Sequence, residues 1–170
     1  MRSKLINAIT GIILLSSLFL ISYKKKINTC EAILKEKKIY SVYNKPSKSS
    51  SITYYLDNDS INENYYVVEI YKIKDDWAQI SAYSPMKTYK NKGWIELVNL
   101  GIFPSSELIL FKLPNEKTEK IKIANYDYRI LDILDCKNKW LKVSYSDSLR
   151  KYEGWLPPYN QCANPYTTCN

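Results

Sequence analysis

Residues 67–80 read Val-Val-Glu-Ile-Tyr-Lys-Ile-Lys-Asp-Asp-Trp-Ala-Gln-Ile, and a polar stretch then leads to Gly-Trp-Ile at 93–95. The same pattern returns at 130–143 as Ile-Leu-Asp-Ile-Leu-Asp-Cys-Lys-Asn-Lys-Trp-Leu-Lys-Val, and it ends in Gly-Trp-Leu at 154–156. All four tryptophans of the chain fall into this pattern. Self-similarity of this kind indicates an internal repeat of one structural unit.

Each copy of the repeat reads as a series of short antiparallel strands. β-branched and aromatic residues alternate with polar ones, and clusters of Asn, Asp, Ser and Pro interrupt the runs. The glycine before the second tryptophan of each copy permits a bulge or a close backbone approach at a tight corner. The sequence therefore predicts an all-β fold after its N-terminal segment.

The order polar turn, Trp, loop, Gly-Trp-Ile/Leu resembles the bacterial SH3 (SH3b) domain. The segment Val-Tyr-Asn-Lys-Pro-Ser at 42–47 is similar to the first strand and loop of that family, and Leu-Phe-Lys-Leu-Pro-Asn at 110–115 holds the same place in the second copy. The segment Gly-Trp-Leu-Pro-Pro-Tyr at 154–159 resembles the end of SH3 domains generally. The resemblance implies two small SH3-like β-barrels in tandem, over residues 38–100 and 106–170.

The resemblance also implies roles for the aromatic residues. In SH3-like barrels the Trp that opens the earlier strand often lies at the binding surface, whereas the aromatic residue after Gly faces the core or the groove floor. We therefore expect ligand contacts from Trp77, Trp140, Tyr43, Pro157 and Tyr159. We expect structural roles for Gly93, Trp94, Gly154 and Trp155. The alternative for any Trp in so small a unit is a place in the core.

The first 26 residues are expected to form a signal peptide or signal-anchor helix. Arg2 and Lys4 precede an uncharged, mostly apolar stretch at 5–23, close to the roughly 20 residues that span a bilayer. No small-x-small site precedes the lysines at 24–26, which favours an uncleaved anchor over a cleaved signal or a buried helix. We expect the chain in the cell envelope, anchored in the inner membrane or exported to the periplasm.

The four cysteines agree with export. Cys162 and Cys169 enclose a short segment containing Asn-Pro, which predicts a disulfide in the tail, with free thiols as the alternative. A similar tail occurs in SH3-like proteins of Bacteroidetes-type bacteria. The pairing of Cys30 and Cys136 is left open, and the cysteine spacing does not fit a zinc knuckle.

The composition excludes several kinds of site. The chain has no histidine, which removes Ser-His-Asp, Cys-His and histidine-containing zinc sites. Its four glycines are too few for a Gly-rich phosphate cradle. The net charge is +8, but acidic residues are interspersed with the basic ones, unlike a nucleic-acid surface. We expect no catalytic residue, no metal, no cofactor and no nucleic-acid partner.

The sequence predicts a non-catalytic binding module of the cell envelope that recognises peptidoglycan peptides or envelope proteins, with residues 5–23 in the membrane. The alternative is a protein–protein interaction factor, or an inhibitor of immunity type, with a single protein partner.

Overall fold

The computed structural model describes residues 28–59, 65–85, 87–124 and 126–164. The expected N-terminal helix and Cys169 lie outside these ranges. Within them, no helix has both the length and the apolar character needed to cross a membrane.

The described part of the chain is built from antiparallel β-strands, which confirms the all-β prediction. The strands are β1 Cys30–Leu34, β2 Lys38–Tyr43, β3 Ile52–Asn58, β4 Val67–Lys74, β5 Trp77–Tyr83, β6 Thr88–Glu96, β7 Leu100–Pro104, β8 Ile109–Phe111, β9 Lys120–Lys122, β10 Leu131–Lys137, β11 Trp140–Ser146, β12 Lys151–Leu156 and β13 Gln161–Cys162. A first 3-10 helix, Leu97–Asn99, follows β6, and a second, Pro158–Asn160, follows β12.

Two copies of one strand series make up the sheet. The first copy is β2–β7 and the second is β8–β13. Each contains a hairpin, three further antiparallel strands, a 3-10 helix and a final short strand. The strand order is β3-β2-β6-β5-β4-β1-β7-β10-β11-β12-β8-β9, with β13 beside β7. Strands β2 to β6 of the first copy correspond to β8 to β12 of the second, and β1 corresponds to β7. With this correspondence, the strand order from one end of the sheet to the middle is the same as that from the other end to the middle.

Strand β7, the last strand of the first copy, also pairs with strands of the second copy. β1 pairs with β4 and with β7, and β7 in turn pairs with β10 and with β13. β7 is therefore the last strand of the first series. It also pairs with β10 and β13 of the second series in the way that β1 pairs with β4 and β7 of the first. β1 lies before residue 38, the predicted start of the first unit.

The polar turns before the two half-buried tryptophans are two-residue hairpin turns. Lys74 pairs with Trp77, and Lys137 pairs with Trp140. The backbone φ angle is positive at Asp75 (51°), Asn138 (51°) and Lys139 (70°). Positive φ is typical of the tight turns that match the twist of a hairpin.

The glycines before Trp94 and Trp155 allow strands to cross closely. A methyl group on Gly93 would lie 2.4 Å from Val42 Cγ1, and one on Gly154 would lie 2.7 Å from Leu110 Cβ. Neither glycine has a positive φ. Close approach, rather than a special turn, therefore requires glycine at both positions.

The structure adds a disulfide that the sequence did not predict. Cys30 of β1 is bonded to Cys136 of β10, with a Cα–Cα distance of 6.1 Å and a sequence separation of 106 residues. Cys162 is also disulfide-bonded. Its pairing with Cys169 stays a prediction, because Cys169 lies outside the described residues.

Candidate functional site

Each copy places a half-buried tryptophan edge-on against an aromatic ring from its hairpin. The centroids of Trp77 and Tyr43 lie 5.6 Å apart with an interplanar angle of 86°. The centroids of Trp140 and Phe111 lie 5.3 Å apart at 88°. Edge-to-face contacts of this kind are favourable for aromatic rings. The two indoles are therefore held in the same way, and each keeps part of its surface exposed.

Trp94 and Trp155 lie on the strands that pair with those carrying Tyr43 and Phe111. Their exposed fractions are 9% and 8%, so little of either ring is available to a ligand. Trp94 pairs through its backbone with Tyr43, and Trp155 pairs with Phe111. The strand that contains each Gly-Trp segment is therefore paired with the strand that carries Tyr43 or Phe111, the ring packed edge-on against Trp77 or Trp140.

A turn with the same hydrogen bonds follows that ring in both copies. In the first copy Ser50 Oγ donates to the carbonyl of Lys45 or Ser47, at 3.1 and 2.8 Å. In the second copy Thr118 Oγ1 lies 3.3 Å from the Leu113 carbonyl and 2.8 Å from that of Asn115. The turns contain Pro46 and Pro114. The two loops, which are similar in sequence, therefore also have the same hydrogen-bonded structure.

In the second copy this turn and Trp140 line a shallow surface cavity. The cavity has a volume of about 660 Å³ and is lined by residues 114–117 and Trp140. The described part of the chain thus offers an aromatic surface beside a hydrogen-bonded turn. Such a surface suits the side chain of a peptide or the face of a sugar.

Pro157 and Tyr159 differ in their exposure. Pro157 is buried, so its side chain has little surface to offer a ligand. Tyr159, in the second 3-10 helix, is 66% exposed. Partial burial, followed by the negative charge of Glu116, raises the pKa of the Tyr159 hydroxyl.

Two clefts flank the junction between the copies, in related positions. One, of about 540 Å³, lies between the first 3-10 helix and β10–β12, and Lys35, Val98 and Ser146 are among its lining residues. The other, of about 350 Å³, adjoins the second 3-10 helix and includes the corresponding residues Ser105, Tyr159 and Tyr83. We name the larger one the junction cleft.

A cluster of tyrosines lies away from the tryptophans. Tyr54 and Tyr89 stack with centroids 4.6 Å apart, and Tyr66 contacts Tyr89 at 5.9 Å. The buried Tyr54 hydroxyl has no hydrogen-bond partner among the described residues. Burial, reinforced by the neighbouring Tyr89, raises the pKa of Tyr66 to about 12. Tyr66 belongs to the hydrophobic core, and the partly buried Tyr54 and Tyr89 pack against it.

Sequence reasoning missed Phe111, which lies against Trp140 as Tyr43 lies against Trp77. A signal was present, because Tyr43 and Phe111 each stand three residues before the proline of their loop. Within the described residues, no group of three or more side chains has the arrangement of a metal site.

Comparisons with protein-family models, with curated proteins and with solved structures gave no match to this chain.

Proposed function

We propose that the chain is a non-catalytic binding protein of the cell envelope, made of two SH3-like units that recognise peptidoglycan peptides or envelope proteins. In this proposal residues 5–23 anchor the chain in the membrane or direct its export. The first unit consists of β1 to β7 and the second of β7 to β13. The first unit thus begins at β1 rather than at residue 38, and the two units share β7.

The duplicated strand pairing supports the two-unit proposal. In each unit the opening strand pairs with the strand after the hairpin and with the strand after the 3-10 helix. Each unit is small, and small units have limited cores. Sharing a strand and burying a common core gives the pair a larger core than either would have alone.

The observation that carries the binding proposal is the repeated edge-on pair, Trp77 with Tyr43 and Trp140 with Phe111. A half-buried indole held by a second ring loses little conformational entropy on binding, and Trp is enriched among residues that dominate binding energy. Two such surfaces on one chain also allow simultaneous attachment to a polymer, which raises the apparent affinity.

The test is co-sedimentation of the full chain, in mild detergent, with purified peptidoglycan sacculi across a salt series. We expect pelleting that persists at high salt and that is lost in the double variant Trp77→Ala, Trp140→Ala. The matched control is Tyr128→Asn, which removes an aromatic ring that is 65% exposed elsewhere and keeps a residue that tolerates its positive φ.

Absence of pelleting, or pelleting abolished by modest salt, would count against wall binding, because the net charge would then explain the attraction. Retention of one envelope protein by the same chain, lost in the same double variant, would instead identify a single-partner interaction protein.

A further inference from the structure

The two exposed tryptophan surfaces differ in the side chains beside the indole. In the first copy the Lys48 ammonium forms an ion pair with Glu96 at 2.9 Å. Lys48 belongs to the turn that follows Tyr43, and Glu96 is the residue directly opposite Trp77 in the β5–β6 ladder. Residues directly opposite in an antiparallel ladder have Cβ atoms about 4.5–5.5 Å apart on the same face. The ion pair therefore joins the turn to β6 beside the Trp77 indole.

The second copy replaces both members of this ion pair. Glu116 stands two residues after the loop proline, as Lys48 does in the first copy. Pro157 stands two residues after the second tryptophan, as Glu96 does. A carboxylate and a proline ring cannot form an ion pair. The turn of the second copy is therefore not tied to the strand beside Trp140 in this way.

The cavity beside Trp140 is the space that a ligand of this aromatic surface would enter. It has a volume of about 660 Å³, and Glu116 is among its lining residues. Because Lys48 corresponds to Glu116, the Lys48 side chain lies at the corresponding place in the first copy and is held there by Glu96. A ligand that contacts Trp77 from this side must first displace the Lys48 side chain.

The ion pair is weak enough to open. The side chains of Lys48 and Glu96 are 66% and 33% exposed, and exposed pairs add little stability and are screened by salt. Such a pair favours its closed form by no more than about fivefold. A surface that is open in only a fraction of the molecules has its affinity reduced by that fraction. The Trp77 surface is therefore weakened as a ligand site rather than abolished.

We infer that the Lys48–Glu96 ion pair closes the Trp77 surface in most molecules, and that the Trp140 surface is the principal ligand site of the chain. The two surfaces are unequal at low salt and become more alike as salt screens the ion pair. The inference rests on the proposed function, because it divides the proposed binding unequally between the two tryptophans.

The test is co-sedimentation of the full chain, in mild detergent, with purified sacculi, now with single variants. At low salt we expect Trp140→Ala to weaken the apparent affinity at least threefold more than Trp77→Ala does. Lys48→Met should raise the apparent affinity about two- to fivefold, because the Trp77 surface opens. This gain should vanish when Trp77→Ala is added to Lys48→Met. It should also shrink at high salt, where the wild-type ion pair is already screened.

Matched variants separate the ion pair from the net charge. Glu96→Gln breaks the same ion pair but changes the net charge in the opposite direction to Lys48→Met, and it should give the same gain. Lys90 is an exposed residue of the same strand as Glu96, and it has no ion-pair partner among the described residues. Lys90→Met should therefore leave the apparent affinity unchanged. Urea unfolding of each variant verifies that it is folded.

Three outcomes would overturn the inference while wall binding stands. They are equal losses in Trp77→Ala and Trp140→Ala, no gain in Lys48→Met and Glu96→Gln, and a gain in Lys48→Met that persists after Trp77→Ala is added. The last of these would show that the gain does not come from the Trp77 surface. If neither the wild-type chain nor any variant pellets with sacculi, the proposed wall binding is wrong and the inference falls with it.

Discussion

The side-chain amide of Gln161 donates a hydrogen bond to the backbone carbonyl of Lys139 at 2.9 Å. In the first copy the corresponding carbonyl, that of Asp76, accepts from the backbone N–H of Leu97 at 2.7 Å. The residue in the place of Leu97 is Pro158, which has no N–H. The carbonyl before the half-buried tryptophan therefore accepts from different donors in the two copies, a backbone N–H of the 3-10 helix in the first and a side chain of β13 in the second.

Replacement of Gln161 by alanine should lower stability by about 1–2 kcal/mol, because the Lys139 carbonyl loses its donor. Gln161 Nε2 also lies 3.0 Å from the Leu156 carbonyl, which adds to the loss. The measurement is the free energy of unfolding in urea. In a Pro158→Leu background, which restores the backbone N–H, the same substitution should cost clearly less. Equal costs in both backgrounds would show that the amide does not replace the missing donor.

The stability lost when alanine replaces Gly93 should be recoverable by a second substitution, whereas the stability lost at Gly154 should not. Gly93→Ala and Gly154→Ala should each destabilise the chain by about 1–3 kcal/mol through steric overlap. A methyl group on Gly93 meets Val42 Cγ1 at 2.4 Å, with the Val42 Cβ at 3.6 Å, so Val42→Ala removes the clash. A methyl group on Gly154 meets Leu110 Cβ itself at 2.7 Å, and Leu110→Ala retains that atom.

Double-mutant cycles in urea measure this difference. We expect a favourable coupling energy for Gly93→Ala with Val42→Ala and a much smaller one for Gly154→Ala with Leu110→Ala. Similar coupling energies in the two cycles would contradict the geometry described for these crossings.

Stability should fall as the pH rises above 10. The pKa of Tyr66 is raised to about 12 in the folded chain, so the folded state keeps a proton that the unfolded state loses near pH 10. The contribution is complete below pH 10 and disappears as the pH rises to about 12. Urea unfolding at pH 8, 10 and 11 measures the slope. Tyr66→Phe should reduce the slope without abolishing it, because burial also raises the pKa of the Tyr54 and Tyr126 hydroxyls.

The disulfide between Cys30 and Cys136 should contribute strongly to stability. In the chain-entropy account, cross-linking a loop of about 100 residues is worth about 4.7 kcal/mol, and measured values are commonly about 2–4 kcal/mol. We expect the double variant Cys30→Ala, Cys136→Ala to lose an amount in this range in guanidinium unfolding. The control is Cys162→Ala with Cys169→Ala, whose expected loop is far shorter. An equal loss in both variants would contradict the loop-length argument.

The local features of the fold could be predicted from the sequence, and the long-range ones could not. The strands, the polar turns before Trp77 and Trp140, and the close approach at Gly93 follow from residue types within a few positions. The Cys30–Cys136 bond joins residues 106 positions apart, and nothing local links them. Strand β1 was missed because it lies before the repeat and has no turn signal of its own.

The candidate site was predictable to a similar degree. Trp77 and Trp140 stood out because tryptophan is rare and its spacing repeats. Phe111 did not stand out, because phenylalanine in a short apolar run is usually part of the core. The junction cleft depends on packing between copies, so its charged residues could not be related to one another from spacing.

The shared strand β7 makes the two copies inseparable as folding units. A cut after Pro104 removes β7 from the strands it pairs with in the second copy, β10 and β13, and a cut before Leu100 removes it from β1. Neither fragment can satisfy the backbone groups that β7 pairs in the intact chain. We therefore expect the two strand series to unfold together, as a single cooperative domain. Such a domain cannot be shuffled as separate modules, in contrast to ordinary tandem repeats joined by linkers.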